Sequence, residues 1–146
     1  MLRRRVVVTG MGIISPVGNN VEEYWNALSN GENGIGKITL FDTNDFSVKI
    51  AGEIKNIDFT NFLDSKEMNR MDRFTILALI AAQEAVKQSR LEKHPLDSNR
   101  IGVIVGSGIG GITTLTNQYK KLLNSPRRVS PFFIPSLISD IAAGHI

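Results

Sequence analysis

The chain has 146 residues, of which 42% are hydrophobic and 21% charged, with a formal net charge of +3. That is enough apolar material for one cored domain and too much for a disordered chain, and no apolar run reaches the roughly 18 residues that a membrane span requires. Cysteine is absent and the only histidines are His94 and His145, which excludes disulfides, thiolate metal sites, a cysteine nucleophile and a histidine-rich cluster within these residues.

The mild basicity allows an acidic partner without demanding one. Arg3, Arg4 and Arg5 ahead of three valines have the outline of a signal peptide, but Thr9, Gly10, Gly12, Ser15 and Pro16 break the apolar stretch. No small-residue cleavage site follows, so a cytoplasmic protein is expected, or one in an organelle matrix after processing.

Arg5 to Thr9 reads as a buried strand followed by a Gly-rich turn. Asn20 with Glu23 forms a capping-box pattern, and Val21, Tyr24, Trp25 and Leu28 continue it at helical spacing until Gly31. Residues 31–47 read as a loop containing a short extended piece, Ile38 to Phe41. Val48 to Ile54 is a predicted strand in which Gly52 marks a bulge or a close approach. Asp64, Ser65 and Glu67 open a short helical turn.

The strongest helix runs from about Arg73 to Arg90. Its stretch Ile76 to Ala82 is apolar almost all round and predicts burial on most sides, more cover than a chain of this size readily supplies. Leu91 to Asn99 reads as a loop in which Pro95 breaks the helix. Ile101 to Val105 is a second apolar strand. Ile112, Leu115, Tyr119 and Leu122 predict an amphipathic helix, Ser125 to Pro131 a basic loop, and Ser136 to Ala143 a short helix ended by Gly144. Strands alternating with helices, with continuous apolar strand runs, predict an α/β fold with a largely parallel sheet covered on both faces.

Two glycine patterns invite a nucleotide reading. Gly106 to Gly111 contains G-x-G-x-x-G between a predicted strand and helix, but the acidic partner about 20 residues on is missing, and Pro126, Arg127 and Arg128 stand there instead. The alternative is a tight turn at which backbone passes close to another segment. Gly31 to Lys37 nearly spells a phosphate loop, yet Ile38 occupies the place of the magnesium-binding hydroxyl and a helix precedes it. No serine has a neighbour that would activate it, so no nucleophile, base and orienter set is visible.

Arg5-Val6-Val7-Val8-Thr9-Gly10-Met11-Gly12, with Ser15-Pro16-Val17-Gly18, is similar to the opening of β-ketoacyl-acyl-carrier-protein synthases. So are Met71-Asp72-Arg73-Phe74, the run Ile101 to Gly111, Ser130-Pro131-Phe132-Phe133-Ile134-Pro135, and Ala142-Ala143-Gly144-His145-Ile146. The pieces occur in the family's order along the whole chain, and the set resembles the chain-elongating type-II enzymes of fatty-acid synthesis. Ketosynthase parts of polyketide synthases share much of it.

The resemblance implies the N-terminal part of a thiolase-like fold, a βαβαβαββ half, usually in a homodimer. Residues 1–146 are expected to be a partial domain cut off before the catalytic cysteine. The family's reaction is a decarboxylative Claisen condensation of an acyl thioester with malonyl carrier protein, using one cysteine and two histidines that this chain does not match. The chain alone is therefore expected to be inactive. By resemblance Ile109 stands at the wall of the acyl pocket, and Phe133 and Ile134 reach the acyl pocket of the dimer mate. Lys66, Arg70, Arg127 and Arg128 receive the acyl carrier protein, whose acidic helix such charges would steer. Asn69 stands where relatives often carry another basic residue. No cofactor, metal, nucleic acid or membrane is expected. A stand-alone module that binds carrier protein or a synthase subunit is the alternative outside enzymology.

Overall fold

The computed structural model describes residues 4–94 and 96–146. Pro95, expected to break the helix, lies outside the described residues. The chain divides into two compact units. One runs to Asp58 and takes Ala81–Lys93; the other comprises Phe59–Ile80 and His94–Ile146.

In the first unit, helix α1 spans Val21–Ser29 and starts as its capping pattern predicts: the Asn20 side chain accepts the Glu23 N–H at 2.8 Å. The Glu23 carboxylate reaches back to the Asn19 N–H, one residue before the cap, at 2.8 Å. Gly31, at φ 69°, turns the chain out of the helix, a conformation that costs glycine nothing. Strands β1 (Ile35–Lys37) and β2 (Ile50–Gly52) pair antiparallel, with Ile35 opposite Gly52. β1 therefore lies earlier than the extended piece expected at Ile38 to Phe41. The ladder places it, because Ile38 N–H makes the next cross-connection, to the Lys49 carbonyl at 3.0 Å. Gly52 is the close approach its sequence suggested: a Cβ there would sit 3.0 Å from Pro16 Cγ.

Glu53, only 6% exposed, turns its carboxylate onto the chain beyond β1. It accepts the Thr39 N–H at 2.9 and 3.0 Å, the Thr39 hydroxyl at 2.9 Å and the Leu40 N–H at 3.1 Å. The Thr39 amide above all holds this carboxyl below its ordinary value, against desolvation, which pushes it up. Leu40, the Thr39 hydroxyl and the Lys55 charge add to the lowering.

The N-terminal segment differs from its reading as a buried strand. Val6, Val7 and Val8 are 91%, 62% and 81% exposed, and no ladder includes them. Ile101 to Val105 is likewise unpaired, with Ile104 99% exposed. A strand needs a neighbour for its backbone groups, and among the described residues the sheet is β1 with β2 alone, antiparallel rather than parallel. Side chains of helix α3 (Arg73–Ser89) serve the early backbone instead. Gln88 Oε1 accepts the Met11 N–H at 2.6 Å, and Glu84 Oε2 accepts the Ile13 N–H at 2.9 Å. Glu84 Oε1 also accepts the Val21 N–H at 2.8 Å, capping α1 from another segment. Gly10 and Gly12 let the chain lie on the α3 backbone, since a Cβ on either would run into the Ala85 or Ala81 carbonyl oxygen.

The expectation for α3 holds along its apolar stretch. Ile76, Leu79 and Ile80 are buried and Leu77, Ala78, Ala81 and Ala82 are half-buried, so the cover judged hard to supply is largely present. Arg90, at φ 56°, ends the helix in the left-handed region. Thr75 is wholly buried on α3, and its hydroxyl finds no hydrogen-bond partner among the described residues. The expected loop of residues 91–99 contains two single 3-10 turns, Leu91–Lys93 and Ser98–Arg100.

In the second unit, α2 (Ser65–Met68) is capped by Asp64, which accepts the Lys66 N–H at 2.6 Å. Helix α4 (Ile112–Asn124) packs on α5 (Phe133–Leu137), which in turn meets α6 (Ile141–His145). The single helix predicted over Ser136 to Ala143 is thus two short ones, and Gly144 lies inside the second. The break has a cause outside the segment: the Leu137 carbonyl, which a continuous helix would give to Ile141, accepts the Gly111 N–H at 2.9 Å. Along α4 the predicted apolar stripe stays open. Ile112, Leu115, Tyr119 and Leu122 are exposed while the polar Gln118 is buried.

Candidate functional site

Every residue singled out for binding falls in the second unit. Lys66 lies on α2 and is exposed. Arg70 follows α2, and its guanidinium stands over the Phe132 ring, 5.0 Å from the centroid, within the range of a cation–π contact. Arg127 and Arg128 occupy the 3-10 turn Pro126–Arg128 after α4, both exposed. That turn is tied back through the following backbone, where Gln118 Oε1 accepts the Ser130 N–H at 2.9 Å. This explains why a polar residue is the buried one on α4.

Ile109 is 71% exposed at the crest of the glycine-rich turn. The turn does what a close-packed loop requires. Gly110 takes φ 76°, and a Cβ on Gly111 would strike the Ser136 carbonyl oxygen. Gly106 and Gly108, by contrast, have open space around them. Two of the three glycines of the G-x-G-x-x-G pattern thus answer to no crowding, while the third, Gly111, and its neighbour Gly110 serve contact with the chain before α6. Ser107 Oγ accepts the Gly110 N–H at 3.0 Å and narrows the turn. Phe133 and Ile134 open α5, Phe133 half-buried and Ile134 58% exposed.

A buried polar junction, which sequence reasoning missed, joins these pieces. Asp72 is 4% exposed at the start of α3. Its Oδ2 accepts the Thr114 N–H at 2.6 Å and its Oδ1 the Phe74 N–H at 3.3 Å. Thr114 is in the first turn of α4, whose cap residue Gly111 has no side chain to offer. Asp72 therefore caps α4 from a distant segment and supplies the negative charge that a helix N-terminus favours. Ser136, 6% exposed, donates its hydroxyl to the Arg70 carbonyl at 2.7 Å. The corner at 70–72 is thus bonded to α4 and to α5, and the glycine turn is bonded to α5 through Gly111 and Leu137. The structure thus brings Arg70, Ile109, Phe133 and Ile134 onto segments of one clasp. Lys66 and the Arg127–Arg128 turn belong to the same unit. The only signal in the sequence was an aspartate just ahead of an apolar helix, which reads as the cap of its own helix rather than of another.

His145 is exposed near the end of α6 and His94 is exposed in a loop. Among the described residues no group of acidic and histidine side chains could hold a metal ion, and no helix is long and apolar enough to cross a membrane.

Known proteins resemble this chain over nearly its full length. It is 51% identical over 144 residues to 3-oxoacyl-[acyl-carrier-protein] synthase 2 of Staphylococcus aureus (strain COL), covering 98% of this chain and 35% of that protein. The protein of the same name from Synechocystis sp. is 47% identical over 143 residues, covering 97% of this chain and 34% of the relative. The chain thus spans about a third of the length of these relatives. Among solved structures, a type II PKS acyl-carrier protein in complex with its ketosynthase, bound to the hexaketide, aligns with a TM-score of 0.79 at 26% identity. It covers 99% of this chain and 39% of that one. The fold is that of the N-terminal part of thiolase-like ketosynthases, although the apolar segments Val6 to Val8 and Ile101 to Val105 join no ladder among the described residues. Residues 3–146 match the family described as beta-ketoacyl synthase, N-terminal domain, and the chain belongs to that family.

Proposed function

We propose that this chain is part of a condensing enzyme of fatty-acid chain elongation, which joins an acyl thioester to malonyl-acyl carrier protein with loss of carbon dioxide. The observation that carries the reading is 51% identity over 98% of the chain to a 3-oxoacyl-[acyl-carrier-protein] synthase. The similarity to a polyketide ketosynthase is far lower, at 26% identity, which favours the fatty-acid role. Ile109, Phe133 and Ile134 contribute to the acyl pocket. Lys66, Arg70, Arg127 and Arg128 form the basic face for the acidic carrier protein, a partner supported by the carrier named in the related structure. The whole enzyme works as a cytoplasmic homodimer. Its nucleophilic cysteine is supplied outside these residues, which contain none, so the chain by itself forms no cysteine-linked acyl intermediate.

The test uses the full-length protein that carries this chain, supplied with acyl and malonyl carrier protein. Formation of the 3-oxoacyl carrier product with release of carbon dioxide supports the reading. A full-length protein that is folded and binds carrier yet yields neither product overturns it.

A further inference from the structure

Asn30-Gly31 and Asn33-Gly34 stand close together between α1 and β1. Asparagine followed by glycine is the pair at which a chain most readily attacks its own side chain, because glycine has no Cβ to shield its amide nitrogen. The fold treats the two pairs differently. At the first, the Asn30 N–H is held by the Asn26 and Leu28 carbonyls, and the Gly31 N–H donates to the Leu28 carbonyl at 3.1 Å. The nitrogen that would attack is therefore engaged in closing α1. At the second, no hydrogen bond engages the Gly34 N–H among the described residues. Anchors stand on either side of it, since the Glu32 N–H donates to the Ala27 carbonyl at 2.9 Å and the Ile35 N–H to Asn33 Oδ1 at 2.9 Å. The second anchor folds the Asn33 side chain back along its own backbone. It also draws charge from Cγ, as a donor aimed at a developing oxyanion does. Asn33 is exposed, so water and base reach it.

We propose that Asn33 is a site of spontaneous modification, at which the chain turns the side-chain amide into aspartate and isoaspartate ahead of Asn30. The Gly34 nitrogen gives its proton to solvent base and attacks Asn33 Cγ. The N–Cγ bond forms, the Cγ–Nδ2 bond breaks, and the departing nitrogen takes a proton from water and leaves as ammonia. Water then opens the cyclic imide at either carbonyl, giving aspartate or isoaspartate, with no change of oxidation state. Isoaspartate lengthens the main chain next to Gly34, where a Cβ would already stand 2.7 Å from Val17 Cγ1 and 2.9 Å from Pro16 Cβ. The modification thus adds a negative charge and displaces the entry to β1.

The experiment ages the full-length protein that carries this chain at mildly alkaline pH, folded and in urea, and then cleaves it after glutamate. Cleavage after Glu32 puts Asn30 and Asn33 on different peptides, and fragmentation in the mass spectrometer quantifies amide, aspartate and isoaspartate at each. In the folded protein the acid forms at position 33 are expected to accumulate about fivefold faster than at position 30, the factor that one net hydrogen bond carries. In urea the two rates are expected to converge, because the bonds that separate the sites are gone. Asn33→Gln keeps an amide acceptor and closes its larger ring far more slowly, so modification at that position should disappear. Equal rates in the folded protein, or Asn30 reacting first, overturn the proposal. A ratio that persists unchanged in urea overturns it as well, since local sequence rather than the fold would then set the difference.

Discussion

The Asp72 carboxylate accepts the Thr114 N–H at 2.6 Å across 42 positions of sequence, and so closes the N-terminus of a helix whose own cap residue, Gly111, has no side chain. Removing it leaves a shielded N–H without an acceptor. Asp72→Ala is therefore expected to cost about 1–3 kcal/mol, read as a lower midpoint in urea unfolding. An unchanged midpoint would mean that Gly111 and solvent suffice for the helix start.

Thr75 poses the opposite case. Its hydroxyl is wholly buried without a partner among the described residues, and such a group is destabilising by about 1–3 kcal/mol. Thr75→Val keeps the branched shape and deletes the polar atom, so the midpoint is expected to rise. A fall would show that the hydroxyl makes a bond that matters to the fold.

Glycines along the chain sort by what surrounds them. A Cβ on Gly12 would meet the Ala81 carbonyl oxygen, which is backbone and cannot swing aside, whereas Gly108 has nothing within 4 Å. Gly12→Ala is expected to destabilise by more than about 2 kcal/mol, as overpacking against backbone does. Gly108→Ala is expected to be neutral or to stabilise by about 0.4–1 kcal/mol through the unfolded chain. Paired thermal melts of the two variants check the contrast, and equal losses would refute it.

Glu53 links the fold to pH. The amide donors of Thr39 and Leu40 and the Thr39 hydroxyl lower its folded pKa below the ordinary value of 4.5. The stabilisation is therefore complete above that value and is lost as pH falls through the lower folded pKa, because the unfolded chain then binds the proton more readily. Hydrogen exchange at the Thr39 and Leu40 amides, corrected for intrinsic rates, should lose protection over that acidic interval. Glu53→Gln should flatten the pH dependence. Protection that is independent of pH in the unsubstituted chain would count against the contact.

Open apolar surface makes a further expectation for the 146-residue chain. Ile104, at 99% exposure, makes no contact whose loss could be felt. Ile104→Glu is expected to leave its unfolding midpoint within about 0.5 kcal/mol while reducing dye binding and self-association, since exposed apolar patches drive both. Sedimentation of the two chains side by side decides. A large loss of stability would mean that Ile104 is covered in solution.

Helices were the legible part of this fold, because their signals are local. The Asn20 cap with its Glu23 partner and the Gly31 exit all lie within the segment they shape. The Asp64 turn before α2 does too, as does the apolar run of α3. Strands were read less well. Three consecutive valines report a preference for burial in a sheet, but the partner that would make Val6 to Val8 a strand is a matter of pairing, which no local run encodes. The division of residues 133–145 into two helices was hidden for a similar reason. The carbonyl that breaks it is claimed by Gly111, far away in sequence. At the candidate site the sequence singled out the exposed Lys66, Arg70, Ile109, Ile134 and Arg127–Arg128 turn, and the half-buried Phe133. It missed Asp72, Ser136 and Gln118, which carry the bonds among those segments, because a buried polar residue is identified only by where its partner lies.

The crowding at Gly110 and Gly111 bears on how this turn can vary. Those two positions are held by backbone atoms of another segment, so replacing either requires the chain around Ser136 and Leu137 to move as well. Ile109, immediately before them, is bounded by open space and can be exchanged without touching that fit. A library randomised at position 109 alone should therefore yield mostly folded members that differ in side-chain bulk at one fixed point. Randomising 110 or 111 should yield survivors only when 136–139 are diversified together with them.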